Sequence, residues 1–214
     1  MKQNIKLVII LSILIALYIF ICAYSYVSAM SNNLASSVFR LHIIANSDSK
    51  EDQNLKYLVR DDLIDYMNKI CSKTMSKEDV INTVNQHINI FKEIAEDTVK
   101  KQGFSYPVNV EIGNFEFPTK TYGDISFPAG YYDALRIKIG ESSGQNWWCV
   151  MFPPLCFVNP TTGIVSDESK DMLQENLSQE EYKIISDTED KPIVFKFKLI
   201  EFFQESGLIT AKNN

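Results

Sequence analysis

Residues 146–157 read Asn-Trp-Trp-Cys-Val-Met-Phe-Pro-Pro-Leu-Cys-Phe and hold both tryptophans and two of the four cysteines of the chain. Two chemistries suit them. Cys149 could act as a nucleophile with His42 as its base and Asp48 or Asn46 as the orienting group, because a thiol needs a neighbour that lowers its pKa. In the simpler reading Trp148, Val150 and Phe152 alternate into a core, and Cys149 is a small buried apolar residue or half of a structural bridge to Cys156. The second is preferred, since nothing in the spacing brings His42 to Cys149. Trp147 and Trp148 would also suit stacking on a sugar, as in a cell-wall or membrane-binding module.

Other chemistry lacks a starting point. Cys22 lies in an apolar run and Cys71 stands at the end of a helical pattern, so the four cysteines form no disulfide scaffold. The second of the two histidines, His87, sits near the apolar edge of a helical stretch and reads as a structural residue. No HExxH, paired CxxC or calcium-type carboxylate loop occurs, and GxSxG, P-loop and dinucleotide glycine patterns are missing. The expectation is therefore no metal and no cofactor.

The elements that must position these residues follow from periodicity. Over 38–45, Phe39, Leu41, Ile43 and Ala45 alternate with Arg40 and His42, a strand that ends at Asn46, Ser47 and Asp48. Ser49 with Asp52, and Ser76 with Asp79, open two amphipathic helices, the second running to Gly103. A strand is predicted from 107, an ordered Pro- and Gly-rich connection over 117–130, and a hairpin pairing 132–139 with 147–152. Short helices around 168–176 and 179–185 and a last strand over 193–199 complete the pattern. The fold class is α+β: a mostly antiparallel sheet with two long amphipathic helices on one face and a hydrophobic helix in front. The other face, partly open, would carry Arg40 and His42, Arg136 and Lys138, and Lys196 and Lys198. Such a strip is usually a solvated face or a protected edge, and otherwise a docking surface for an acidic partner or anionic headgroups. With Trp147, residues Arg40, His42, Arg136 and Lys138 are the candidate partner-binding set.

Residues 7–27 are almost continuously apolar behind Lys2 and Lys6, long enough to cross a membrane and oriented to send the rest of the chain outward. Val27-Ser28-Ala29 resembles a signal-peptidase site, so this segment is a cleaved signal or a retained anchor. The predicted organisation is a leader over 1–29, a short linker over 30–37, one domain outside the cytoplasm over 38–207 and a tail over 208–214. A net charge of −6 argues against nucleic acid as a partner.

Two segments carry a resemblance. Phe39-Arg40-Leu41-His42-Ile43-Ile44-Ala45-Asn46-Ser47-Asp48 continues through Asp52-Gln53 and Val59-Arg60-Asp61. Pro128-Ala129-Gly130-Tyr131 leads through Ala134-Leu135-Arg136 to Asn146-Trp147-Trp148-Cys149 and Phe152-Pro153-Pro154-Leu155-Cys156. The chain resembles the stage II sporulation protein R family, strongly over 38–157. The resemblance implies a signalling protein of endospore formers, exported from the forespore into the space between the two septal membranes. There it would activate a membrane-embedded aspartic protease that processes the precursor of sigma factor E. It implies an activator rather than an enzyme and brings no catalytic residues.

Overall fold

A computed structural model describes residues 2–72, 75–156 and 165–186. Helix α1 (Lys2–Ser36) exposes its apolar side chains over 5–21 but not at its end, where Met30 and Leu34 are buried. The expected linker is thus the last part of α1, seated in the domain. Strand β1 (Phe39–Ile44) follows at once.

Helix α2 (Lys50–Ile70) starts where the Ser49 side chain accepts the Asp52 amide. The Asp52 carboxylate does not return the bond to Ser49; it accepts from Asn46 Nδ2 at 2.8 Å and Ser47 Oγ at 2.5 Å. The expected single helix over 76–103 is two, α3 (Lys77–Gln86) behind a reciprocal Ser76–Asp79 box, and α4 (Ile88–Lys101). His87 sits between them outside helical geometry, and its Nδ1 meets the Tyr66 hydroxyl at 2.5 Å. The apolar stripe carries no trace of this break, because Val80 and Val84 before it and Phe91, Ala95 and Val99 after it all reach the same core.

Strands β2 (Val108–Phe117), β5 (Gly130–Ile139) and β6 (Asn146–Phe152) complete a four-stranded sheet of order β2-β5-β1-β6. The β2/β5 and β1/β6 pairs are antiparallel and β1/β5 is parallel. The expected β5–β6 hairpin does not form, because β1 lies between the two strands. The connecting residues 140–145 cross the end of β1 instead. Asn46 Oδ1 accepts the Glu141 amide, Ala45 O the Gly144 amide and Asp48 Oδ1 the Gln145 amide, at 2.9, 3.0 and 2.7 Å. A Cβ on Gly144 would collide with the Ser47 backbone, so this crossing requires glycine there.

One face of the sheet packs on α2, α3 and α4 through Phe39, Leu41, Ile43, Leu135, Ile137, Cys149 and Met151. The other face, expected to be partly open, is covered at the Arg40 end and stays accessible around Glu111, Arg136 and Lys138. The connection over 118–129 contains a small hairpin of β3 (Lys120–Tyr122) and β4 (Ile125–Phe127). Its Ile125 and Phe127 join Met30, Leu34, Phe117, Tyr132, Val150 and Leu155 in a second core. Helices α5 (Asp167–Asn176) and α6 (Gln179–Ile185) add Leu173 and Ile185, and α6 opens with the expected Ser178–Glu181 box. The last strand predicted over 193–199, with Lys196 and Lys198, lies outside the described residues.

Candidate recognition cleft

Alternation along β1 sends Arg40 and His42 to the face opposite Leu41. In the register of β1 with β6, Leu41 stands beside Cys149 and His42 beside Trp148. Cys149 and His42 therefore occupy opposite sides of the sheet. Cys149 is joined to Cys156 in a disulfide, with Cα atoms 5.3 Å apart, and a sulfur so bonded carries no thiolate. Asp48 is bound to the Gln145 amide and Asn46 to the chain crossing and Asp52. The residues of the nucleophile reading are thus in separate places.

The basic set is divided in a different way. Arg40 is fully buried and enclosed by rings, with its guanidinium carbon 4.1 Å from the Phe117 centroid and 4.6 Å from that of Tyr132. Tyr122 and Phe127 stand at 6.0 and 5.9 Å. Its Nη2 donates to Tyr122 Oη at 2.7 Å, while Nε and Nη1 have no partner among the described residues. Its placement on a partly open face is corrected: the β3–β4 hairpin and Phe117 close over it. His42 is buried too, stacked on Trp148 at 3.7 Å with Nε2 against Asn146 Oδ1 at 2.7 Å. Loss of hydration is the main cause that pulls its pKa down to about 4; the Asn146 bond works against it, and the Arg136, Lys138 and Arg40 charges add to it. Arg136 and Lys138 do flank His42 on the same face, but both hold Glu111, at 2.8 and 3.0 Å.

Of that set Trp147 and Lys138 reach open concavities, Lys138 a shallow one between the ends of β2 and β5 that has no aromatic side chain, and Trp147 a different one. A cleft of about 440 Å³ runs along the start of β6, lined on one side by Gln145, Asn146, Trp147, Trp148 and the disulfide. Lys56 and Tyr57 of α2 and residues 120–123 of the small hairpin form the rest. Arg60 lies at its rim, its guanidinium 4.5 Å from the Trp147 ring and 5.1 Å from that of Tyr57. Trp147 and Tyr57 meet edge to face at 5.5 Å. Lys56 Nζ donates to Gln145 O at 3.0 Å and Gln53 Oε1 at 2.5 Å; burial lowers its pKa and Asp48 opposes that. The cleft can grip a chain or a planar group between aromatic faces and cations. Among the described residues no group of three or more His, Cys, Asp or Glu side chains is placed to hold a metal.

Sequence reasoning missed Tyr57, Arg60 and Lys120. The first two share the outer face of α2 at i and i+3, a legible signal, whereas Lys120 enters only through a hairpin whose return over the sheet local patterns do not encode.

The family model of stage II sporulation protein R matches residues 35–162. Over 158 residues the chain is 35% identical to stage II sporulation protein R of Bacillus subtilis (strain 168), covering 74% of this chain and 70% of that protein. The chain belongs to the stage II sporulation protein R family. No solved structure matches it. The family match runs from the end of α1 past β6, so it contains the Arg40 enclosure and every residue that lines the cleft. Most of α1 and both short C-terminal helices fall beyond it.

Proposed function

We propose that this protein is an exported signal of sporulation that activates a membrane-embedded aspartic protease, which then processes the precursor of sigma factor E. It acts in the space between forespore and mother cell, reached through α1. The observation that carries this reading is a membrane-length apolar helix joined without a linker to a domain of the sporulation family. Its candidate nucleophile is tied into a bridge, whereas its cleft has the aromatic and arginine content of a protein-binding surface.

Activation needs no chemistry from the activator. A ligand shifts a receptor between inactive and active arrangements only by its difference in affinity for the two, and a near-complete switch takes a preference of about 10⁴. The test is capture of the detergent-solubilised protease by the purified full-length chain. Retention is expected, and a protease that washes through under conditions where both proteins remain folded would contradict direct recognition.

A further inference from the structure

The chain carries a net charge of −6, yet among the described residues no Asp or Glu lines the cleft. Its charged side chains are Lys56 on one wall and Lys120 on the other, with Arg60 at the rim. Behind Tyr122, which forms part of the wall, sits the Arg40 guanidinium, bonded to the Tyr122 hydroxyl and without a carboxylate. Two nearby acids are already engaged: Asp48 with the Gln145 amide, and Asp61 with Arg60 as an exposed neighbour pair. An exposed pair of that kind exchanges readily for another carboxylate. Four cations, Arg40 buried behind the wall among them, set against the Asp48 and Asp61 carboxylates leave an excess of positive charge at this concavity on an acidic molecule.

The edge of β6 also limits what can enter. The Trp148 carbonyl accepts from Tyr122 Oη and the Val150 carbonyl from the Leu155 amide, both at 3.1 Å. An added β-strand would find these acceptors occupied. What remains is recognition by side chains: aromatic faces of Trp147 and Tyr57 beside lysine and arginine heads.

We propose that this cleft is the docking site for an acidic loop of a protein partner, whose carboxylates meet Lys120 and Arg60 while an apolar or aromatic side chain packs on Trp147; Lys56, buried in the wall, adds its charge from behind. The identity of that partner as the protease rests on the function proposed above; the acidic, non-strand character of the loop does not.

The test uses the full-length chain in nonionic detergent, with a fluorescein-labelled copolymer of glutamate and tyrosine as probe and anisotropy as readout. The wild type is expected to bind the copolymer and to lose it at high salt. The double variant Arg60→Glu/Lys120→Glu is expected to bind on the order of ten-fold more weakly, with its melting curve retained. The milder pair Arg60→Gln/Lys120→Gln gives the intermediate result if the reversal perturbs folding. Equal binding by wild type and variants, or no binding by the wild type, overturns the site. Displacement of the copolymer by monomeric short-chain phosphatidylglycerol at lower concentration than by free glutamate–tyrosine peptide would also overturn it, in favour of a lipid headgroup. Sigma-precursor processing that the double variant supports as well as the wild type would refute the protease as the partner docked in this cleft while leaving the activator role intact. A wild type that binds the copolymer through these residues yet activates no protease would do the reverse.

Discussion

A guanidinium shut away from water and offered one hydroxyl regains only part of its hydration from the faces of the rings around it. Arg40 is held in that condition by Phe117, Tyr122, Phe127 and Tyr132. Its methylene stem fills the second core as a long apolar side chain would. Arg40→Met is therefore expected to keep stability within about 1 kcal/mol of wild type or to raise it, and Arg40→Ala to cost on the order of 3 kcal/mol by leaving a cavity, both read from denaturant melts. His42 makes a pH-dependent contribution whose sign follows from its depressed pKa. The unfolded chain takes up this proton near the ordinary histidine value of 6.5 and the fold only near 4, so the stabilisation is complete above about 6.5 and is lost as pH falls towards about 4. Wild-type stability should decline more steeply between those values than that of His42→Gln, and parallel curves would refute the neutral, buried imidazole. The alternation of β1 made the shared face of Arg40 and His42 legible in the sequence. Their burial was not, because what covers that face comes from residues 118–129, whose Pro and Gly content reads locally as a loop.

The elements divide into those whose ends are written locally and those placed by distant partners. Ser76 with Asp79 and Ser178 with Glu181 mark their helix starts in the sequence and do so in the fold. The separation of β5 from β6 is a distant effect: it depends on Asn46, Ala45 and Asp48 at the far end of β1 holding residues 140–145. The bridge from Cys149 to Cys156 fixes the turn after β6 at one wall of the cleft. Closing so short a loop is worth about 2–3 kcal/mol. The double variant Cys149→Ser/Cys156→Ser should melt earlier by that amount yet still activate processing below its melting point; complete loss of processing by folded variant would revive sulfur chemistry. At the other end of the chain, Leu34 of α1 is fully buried in the second core. Leu34→Ala should cost roughly 3 kcal/mol, which a flexible linker residue would not. The same geometry sets the consequence of cleavage after Ala29: Met30, the first residue left, is already a core residue.

For the molecule as a whole, the sheet is covered on one face and over the Arg40 end of the other, and the cleft where α2, β6 and the small hairpin meet is the concavity that joins aromatic faces to cations. The first helix is long and apolar enough to cross a membrane and runs straight into the second core, so on the function proposed here the domain, before any cleavage, would be held close to that membrane and to a membrane-embedded partner. Fold class, the apolar first helix and family were legible because they rest on composition, period and a long run of rare residues. The cleft was legible in its β6 wall, the segment with Trp147, Trp148 and the two cysteines, and not in its other walls, which are assembled by chain crossings. The most direct test of an exported activator is co-expression of this chain, the protease and the sigma precursor in a host that does not sporulate, with and without residues 1–29. Processing is expected only when all three are present and the leader is intact. Processing that persists with a leaderless chain in the cytoplasm, or that never appears with all three, would contradict it.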